Sequence, residues 1–450
     1  MHLGLGAFHR AHQAWYTAHA DPAGEWGIAA FTGRGPAAAH VLGAQEGLYT
    51  LIERGPDGDR YETVTSIVET HDASETAALR ALVSRPEVTV VTLTVTEKGY
   101  HLDASGALDT GDADVVADSV TLRRSEAGAA AVEDGALRTM PGRLLWALLG
   151  RAESGAGPIA VVSCDNLAGN GAAARAAVMG LAELVNPALA SAIEVDWIHT
   201  SIDRITPRTT VADIEAVATR TGILDLAPVV TERYSSWILS GRFRAARPRW
   251  EDAGALFVDV LEPFERRKLW MLNGAHSLLA YAGIGFGHTT VAEAIADERC
   301  AKAVGRLWDL HARLLSESGR DLDLDDYRLA LAARFANSAI AHRLDQIAAD
   351  GSVKLRSRIV EVVQRERSAG GSADAALRVM AEWIRFVLAA CEAGRIIEDA
   401  AAAEIVAAAA ASDPTRGLLA LIAPELADDE AILMRVIGML ATPLDVVGHR

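Results

Sequence analysis

At 450 residues the chain exceeds what one ordinary hydrophobic core organises, so two domains are expected. A formal net charge of −17, with no block of lysine and arginine, excludes nucleic acid and anionic membrane as partners, because both attract proteins through basic patches; a small molecule is left. Cys164, Cys300 and Cys391 lie far apart without metal-ligand spacing, the N-terminus lacks a secretion-signal pattern, and no run of about 18 apolar residues is free of charge, so a cytoplasmic monomer or small homo-oligomer is expected.

The chain opens with HLGLGAFHRAHQAWY, in which Gly4 and Gly6 form a G-x-G between a short apolar start and a helical pattern. Such glycines let the backbone turn tightly beside a pyrophosphate, which then rests on the helix N-terminus at Ala7 and Phe8. An ordinary turn is the competing reading, since His9 stands where the usual fingerprint has its third glycine. His9 and His12 resemble a metal pair, but no third ligand of fitting spacing is nearby and no metal is expected. Only Met1, His2 and Leu3 precede Gly4, whereas a central strand usually needs about 5 residues, which points to a natural start upstream.

WGIAAFTG (26–33), VTVVTLTV (88–95), PIAVVSCDN (158–166) and VDWIHTSI (195–202) read as buried strands separated by helical stretches. That alternation predicts an α/β fold with a mostly parallel sheet covered by helices on both faces. The second strand runs into FTGRGPAAA, with Arg34 and no acid. An acid there commonly binds the adenosine ribose of NAD, whereas Arg34 suits the 2′-phosphate of NADP or simply a solvated loop. From Pro263 the β-type alternation fades. Amphipathic segments follow, among them CAKAVGRLWDLHARLL, the Ala-rich run 399–411 and DPTRGLLALI with its Asp-Pro start signal. The expected division is a dinucleotide-binding domain over 1–262 and a mainly α-helical substrate domain over 263–450.

Polar clusters stand at the carboxyl ends of three predicted strands: Glu97 and Lys98 in TVTEKGY, Asp165 and Asn166 in SCDNLAGNG, and Asp203 and Arg204 in DRITP. Ligands bind along that edge of an open parallel sheet, although any one cluster also reads as a turn or helix cap. Just past the domain boundary, KLWMLNGAHSLLAYAG carries Lys268, Asn273 and His276 on an otherwise apolar helix. At about 100° per residue, Asn273 falls roughly 140° round from Lys268 with His276 between them, so one broad face presents all three. This places Lys268 and His276 at an expected cleft between the domains.

GLGAFHRAHQ, TVTEKGY, SCDNLAGNG, DRITP, KLWMLNGAH and DGSVK occur together in an order that resembles the polyol-specific long-chain dehydrogenases, the mannitol dehydrogenase family. The resemblance runs from Gly4 to about residue 360 and implies a Rossmann-type doubly wound sheet followed by the helical domain. It implies NAD, with NADP open, held through Gly4, Gly6, Ala7, Phe8, Arg34, Glu97 and Asn166, and hydride transfer without zinc. It further implies Lys268 as general acid/base, Asn166 and Asn273 as donors to the reacting oxygen, and His276, Asp203 and Lys354 as residues that position substrate. Glu265 matches an acid that relays the proton to solvent. Lys98 and Gln346 resemble the fructuronate reductase, or mannonate oxidoreductase, branch of that family, where mannitol 2-dehydrogenases carry Gly and Arg.

The residues support the same chemistry. Oxidising a secondary alcohol requires a base that takes the hydroxyl proton as hydride leaves for the nicotinamide. Lysine does so near neutral pH when burial or neighbouring charge lowers its pKa, and Lys268 has an apolar helix and Arg266 and Arg267 beside it. The expected substrate is a sugar acid, with Lys98 and Arg343 as candidate partners of its carboxylate. Mannitol 2-dehydrogenase or mannitol-1-phosphate 5-dehydrogenase activity is the alternative, and a non-catalytic dinucleotide-binding regulator is the alternative of another class.

Overall fold

The computed structural model describes residues 1–444. The chain divides into two compact units, the first Met1–Leu261 and the second beginning at Glu262.

The first unit holds eleven strands: β1 (His2–Leu3), β2 (Ile28–Phe31), β3 (Tyr49–Arg54), β4 (Arg60–Val64), β5 (Ile67–His71), β6 (Val90–Leu93), β7 (Ile159–Ser163), β8 (Val195–Asp203), β9 (Val229–Glu232), β10 (Ser236–Ser240) and β11 (Leu256–Phe257). Eight form one sheet in the order β11-β10-β8-β7-β6-β1-β2-β5, and β4-β3-β9 form a second. From β5 to β8 the large sheet is all parallel, while β10 runs antiparallel to β8 and β11 runs parallel to β10, so the last two strands are reversed. Read in chain order, β5-β2-β1-β6-β7-β8 is the Rossmann order 3-2-1-4-5-6, with its topological switch point between β1 and β6. β2, β6 and β7 are buried at every position, as strands covered on both faces must be. The four apolar runs in the sequence coincide with β2, β6, β7 and β8. The small sheet and the last two strands of the large one were not legible as such: β4 mixes charged and apolar residues and is only partly buried, and β9, β10 and β11 are short.

The second unit is helical among its described residues. Its amphipathic segments form Glu298–Ser316, Asp374–Glu392 and Pro414–Ile422, the last with Asp413 capping the Arg416 amide. The apolar stretch after Glu262 is one continuous helix whose middle, Lys268–Gly274, winds as π-helix between α-helical Glu262–Arg267 and Ala275–Gly285. The 100° periodicity expected there therefore fails over seven residues. No helix among the described residues is long and apolar enough to cross a membrane.

Candidate active site

In the first unit the site begins at the turn after β1. Gly4 adopts φ +111°, and a Cβ there would stand 2.0 Å from the Thr94 carbonyl oxygen, so only glycine lets the loop pass the end of β6. The Thr94 hydroxyl donates to the Gly4 carbonyl at 2.8 Å and locks that approach. Gly6 precedes the helix that starts at Ala7. A Cβ at Gly6 would meet nothing closer than 3.6 Å, and no side chain among the described residues caps the first turn. The free amides beside an open approach fit a pyrophosphate.

A shallow depression adjoins Gly4, walled by Leu3, Phe31, Leu79, Val95 and Met140, with Arg143 at its edge. Its apolar walls at the ends of β1, β2 and β6 suit a flat adenine. Arg143 donates to the carbonyls of Gly33, Ala73, Arg138 and Thr139 and so frames the loop after β2. It lies more than one hundred residues from that loop, and nothing in the sequence marks it. Arg34 is exposed on the loop itself. His9 turns away from this surface: it is buried, stacked on His2 with ring centroids 3.3 Å apart, and burial holds it well below the usual histidine range.

Glu97 and Lys98 are exposed on a 3₁₀ turn, Glu97–Tyr100, beyond β6. The turn is tied to the end of β7 through Asp165. The Val95 amide donates to one carboxylate oxygen at 2.5 Å and the buried Tyr100 hydroxyl to the other. Burial pushes Asp165 up to about 7, against the lowering effect of these two donors. Asn166, the next residue, is exposed, while Asn170 ties the Asp165 carbonyl to the backbone of Thr200 on β8. Asp203 ends β8 half-buried. Its neighbour Arg204 points inward, bonded to the Ala11 carbonyl at 2.6 Å and to Glu53, and so braces the fold.

In the second unit the π winding changes the geometry expected of Lys268. Its i→i+5 bonding sets residues five apart about one turn above each other, so Lys268 and Asn273 come onto one side of the helix instead of roughly 140° apart. Both are half-buried, and Glu265 precedes them half-buried in the first segment. Arg266 pairs with Glu262 and with Glu361 at 3.2 Å, and Arg267 is turned to the Leu322 carbonyl and the Tyr327 ring. The extra positive charge expected beside Lys268 is thus offset or directed elsewhere.

His276 is buried against Phe335 and the edge of His342, with ring centroids 4.8 and 5.1 Å away. Burial, then His342, Arg334 and Arg358, holds it well below the usual histidine range, so it is neutral. Lys354 is half-buried and donates to the Ile347 carbonyl at 3.2 Å, its pKa lowered first by burial and then by Arg358. The glycine of DGSVK has a packing reason: a Cβ on Gly351 would stand 2.4 Å from Trp383 Nε1.

The structure does not leave Arg343 free. Its guanidinium forms a two-point pair with the exposed Asp345, so it is already neutralised where a free cation was expected. Gln346 is exposed on the short helix Leu344–Ala348. Sequence reasoning missed Arg358. It lies in a second π segment, Arg356–Val360, and donates from Nη1 to the Asn273 carbonyl at 3.2 Å and the Ser277 hydroxyl at 3.0 Å. Its only signal was its place one helical turn after Lys354.

Residues 1–252 match the mannitol dehydrogenase Rossmann domain, and residues 260–436 match the mannitol dehydrogenase C-terminal domain. The chain is 35% identical over 408 residues to the D-mannonate oxidoreductase of Escherichia coli strain K12, covering 88% of this chain and 82% of the relative. It is 33% identical over 406 residues to the mannitol 2-dehydrogenase of Cereibacter sphaeroides, covering 88% and 82%. The solved Pseudomonas fluorescens mannitol 2-dehydrogenase, a ternary complex with NAD and D-mannitol, is 30% identical and superposes with a TM-score of 0.78 over 98% of this chain and 90% of that one. With both parts of the family's architecture matched in order along one chain, this protein is a member of the mannitol dehydrogenase family.

Proposed function

We propose that this NAD(P)-dependent oxidoreductase interconverts the keto and hydroxyl forms of a sugar acid, with fructuronate and mannonate as its substrate pair. The observation that carries the reading is the π turn that brings Lys268 and Asn273 to one side of their helix. The bound dinucleotide supplies or accepts the hydride. Lys268 gives a proton to the oxygen during reduction and takes it back during oxidation. Asn273 and Asn166 act as neutral amide donors to the oxygen on which charge builds, each contributing about 3 kcal/mol. Glu265, three residues before Lys268, passes the proton to solvent. His276, neutral and fixed by Phe335 and His342, positions a substrate hydroxyl with Asp203 and Lys354.

The glycine turn, the uncapped helix start and the depression beside Phe31 support dinucleotide binding, with Ala7 and Phe8 at that helix start and Glu97 and Asn166 beyond the ends of β6 and β7. The sugar-acid reading is supported by the likeness to D-mannonate oxidoreductase and by Lys98, an exposed cation at the end of β6 that no ion pair holds among the described residues. The comparable identity to mannitol 2-dehydrogenase favours a neutral polyol as the second reading. Purified protein with NADH and NADPH is assayed against fructuronate, fructose and fructose 6-phosphate, and in reverse with mannonate, mannitol and mannitol 1-phosphate. A kcat/KM for fructuronate at least tenfold above the others is expected. Preference for a neutral or phosphorylated substrate overturns the sugar-acid reading.

A further inference from the structure

Arg358 is a largely buried guanidinium, and among the described residues no carboxylate pairs with it. Its hydrogen bonds to protein, to the Asn273 carbonyl and the Ser277 hydroxyl, are made by Nη1 alone. Among the described residues Nε and Nη2 have no protein partner, yet neither is a sealed, unsatisfied buried atom, so both remain open to a ligand. A cation drawn out of water without a counter-ion is costly, and such groups normally pair or lose their charge. Burial does lower the pKa of Arg358, with Tyr281 opposing the shift, but a guanidinium stays protonated in proteins.

The surroundings add positive charge. Lys354, one turn earlier, has its pKa lowered first by burial and then by Arg358, and His276 has its own lowered by burial, then His342, Arg334 and Arg358. The nearby side chains His276, His342 and Tyr281 are neutral, because burial lowers both histidines and raises the tyrosine. The two acids within reach, Asp350 and Asp399, act on Lys354. The result is a largely buried guanidinium with two unspent donors and no paired carboxylate among the described residues. A planar fork of that kind matches a carboxylate in two-point contact better than it matches a lone hydroxyl. Through Nη1 the same group touches the backbone of Asn273, the residue that holds the reacting oxygen in the mechanism above.

We propose that Arg358, with Lys354 beside it, binds the carboxylate of the substrate and thereby selects sugar acids over neutral sugars. The inference rests on the sugar-acid reading and gives the carboxylate a buried partner in addition to Arg343, which forms an exposed pair with Asp345.

The test is the ratio of kcat/KM for fructuronate to that for fructose, measured with NADH in the wild type, Arg358→Gln and Arg358→Lys. Arg358→Gln is expected to lower the ratio about 10- to 100-fold, the range of one charge-assisted contact, mainly through KM for fructuronate. Arg358→Lys keeps the charge and loses the fork, and an intermediate ratio is expected; it carries the test alone if the glutamine variant does not fold. Equal losses on both substrates would mean that Arg358 only supports the Asn273 turn, which overturns the proposal while leaving the function intact. A wild type that prefers fructose to fructuronate overturns the sugar-acid reading itself, and this inference with it.

Discussion

Arg358 Nη1 and the carbonyl of Asn273 are 3.2 Å apart, and this one hydrogen bond joins two π-helical segments of the helical unit. A π segment shifts backbone bonding from i+4 to i+5, which frees carbonyls for other donors, and such segments recur at functional sites. The bond thus supports the winding that aligns Asn273 with Lys268. Gly274 permits the close approach, since a Cβ there would already stand 3.3 Å from His311 and 3.6 Å from Ile359.

Asn273→Ala removes a donor aimed at developing charge and leaves the backbone bond to Arg358 in place. The expected loss is roughly 10²-fold in kcat, about 3 kcal/mol, with little change in KM. Steady-state kinetics on the keto substrate decide it. A change confined to KM would make Asn273 a substrate-binding residue only.

Asp165 links protonation to stability. Its pKa is raised from 3.8 to about 7 in the folded protein, so between those values the folded state holds more protons than the unfolded one. Stability from this group therefore falls as pH rises through that window, and the burial cost is complete above about 7. Asp165→Asn carries no such titration. The Tm of the variant relative to wild type is expected to improve from pH 4.5 to pH 7.5, read by thermal melts at both values. A pH-independent difference would show that the carboxyl titrates normally.

Cofactor preference is expected to respond at Ala37, the exposed first residue of the helix Ala37–Gly43 that follows Arg34. Ala37→Asp supplies a carboxylate for the ribose hydroxyls and opposes a 2′-phosphate, so the ratio of kcat/KM with NADH to that with NADPH is expected to rise about tenfold, worth roughly 1.4 kcal/mol. An unchanged ratio would show that this loop does not meet the ribose.

Lys98 and Arg358 differ in solvation, and so in what their charge contributes. An exposed lysine on a surface turn is screened by water, and its pairings typically contribute about 0 to 1 kcal/mol. Lys98→Gly is therefore expected to cost fructuronate less than about tenfold in kcat/KM. A loss as large as that of Arg358→Gln would make Lys98 the principal partner of the carboxylate.

The sequence displayed the large sheet because β2, β6 and β7 are continuous buried runs, which parallel strands covered on both faces require, while β8 was legible although it alternates in burial. β4 and β5 stayed hidden because they mix charged and apolar residues and are only partly buried, whereas β3 is buried over its first four residues but ends in Glu53 and Arg54. The helix carrying Lys268, Asn273 and His276 was legible, but its π winding was not, since seven mostly apolar residues fit either period. Arg343 was singled out for its charge, and only the fold shows Asp345 neutralising it. Arg358 escaped notice for the opposite reason, because its burial and lack of a counter-ion are properties of the fold.

The most direct test of the account is Lys268→Ala, assayed for turnover of fructuronate with NADH and, on the same preparation, for NADH affinity by fluorescence titration. The account predicts a fall in kcat of several orders of magnitude with dinucleotide affinity within about threefold of wild type, because the lysine acts on the substrate oxygen and not on the cofactor. Turnover within tenfold of wild type would contradict it and remove Lys268 as the acid/base.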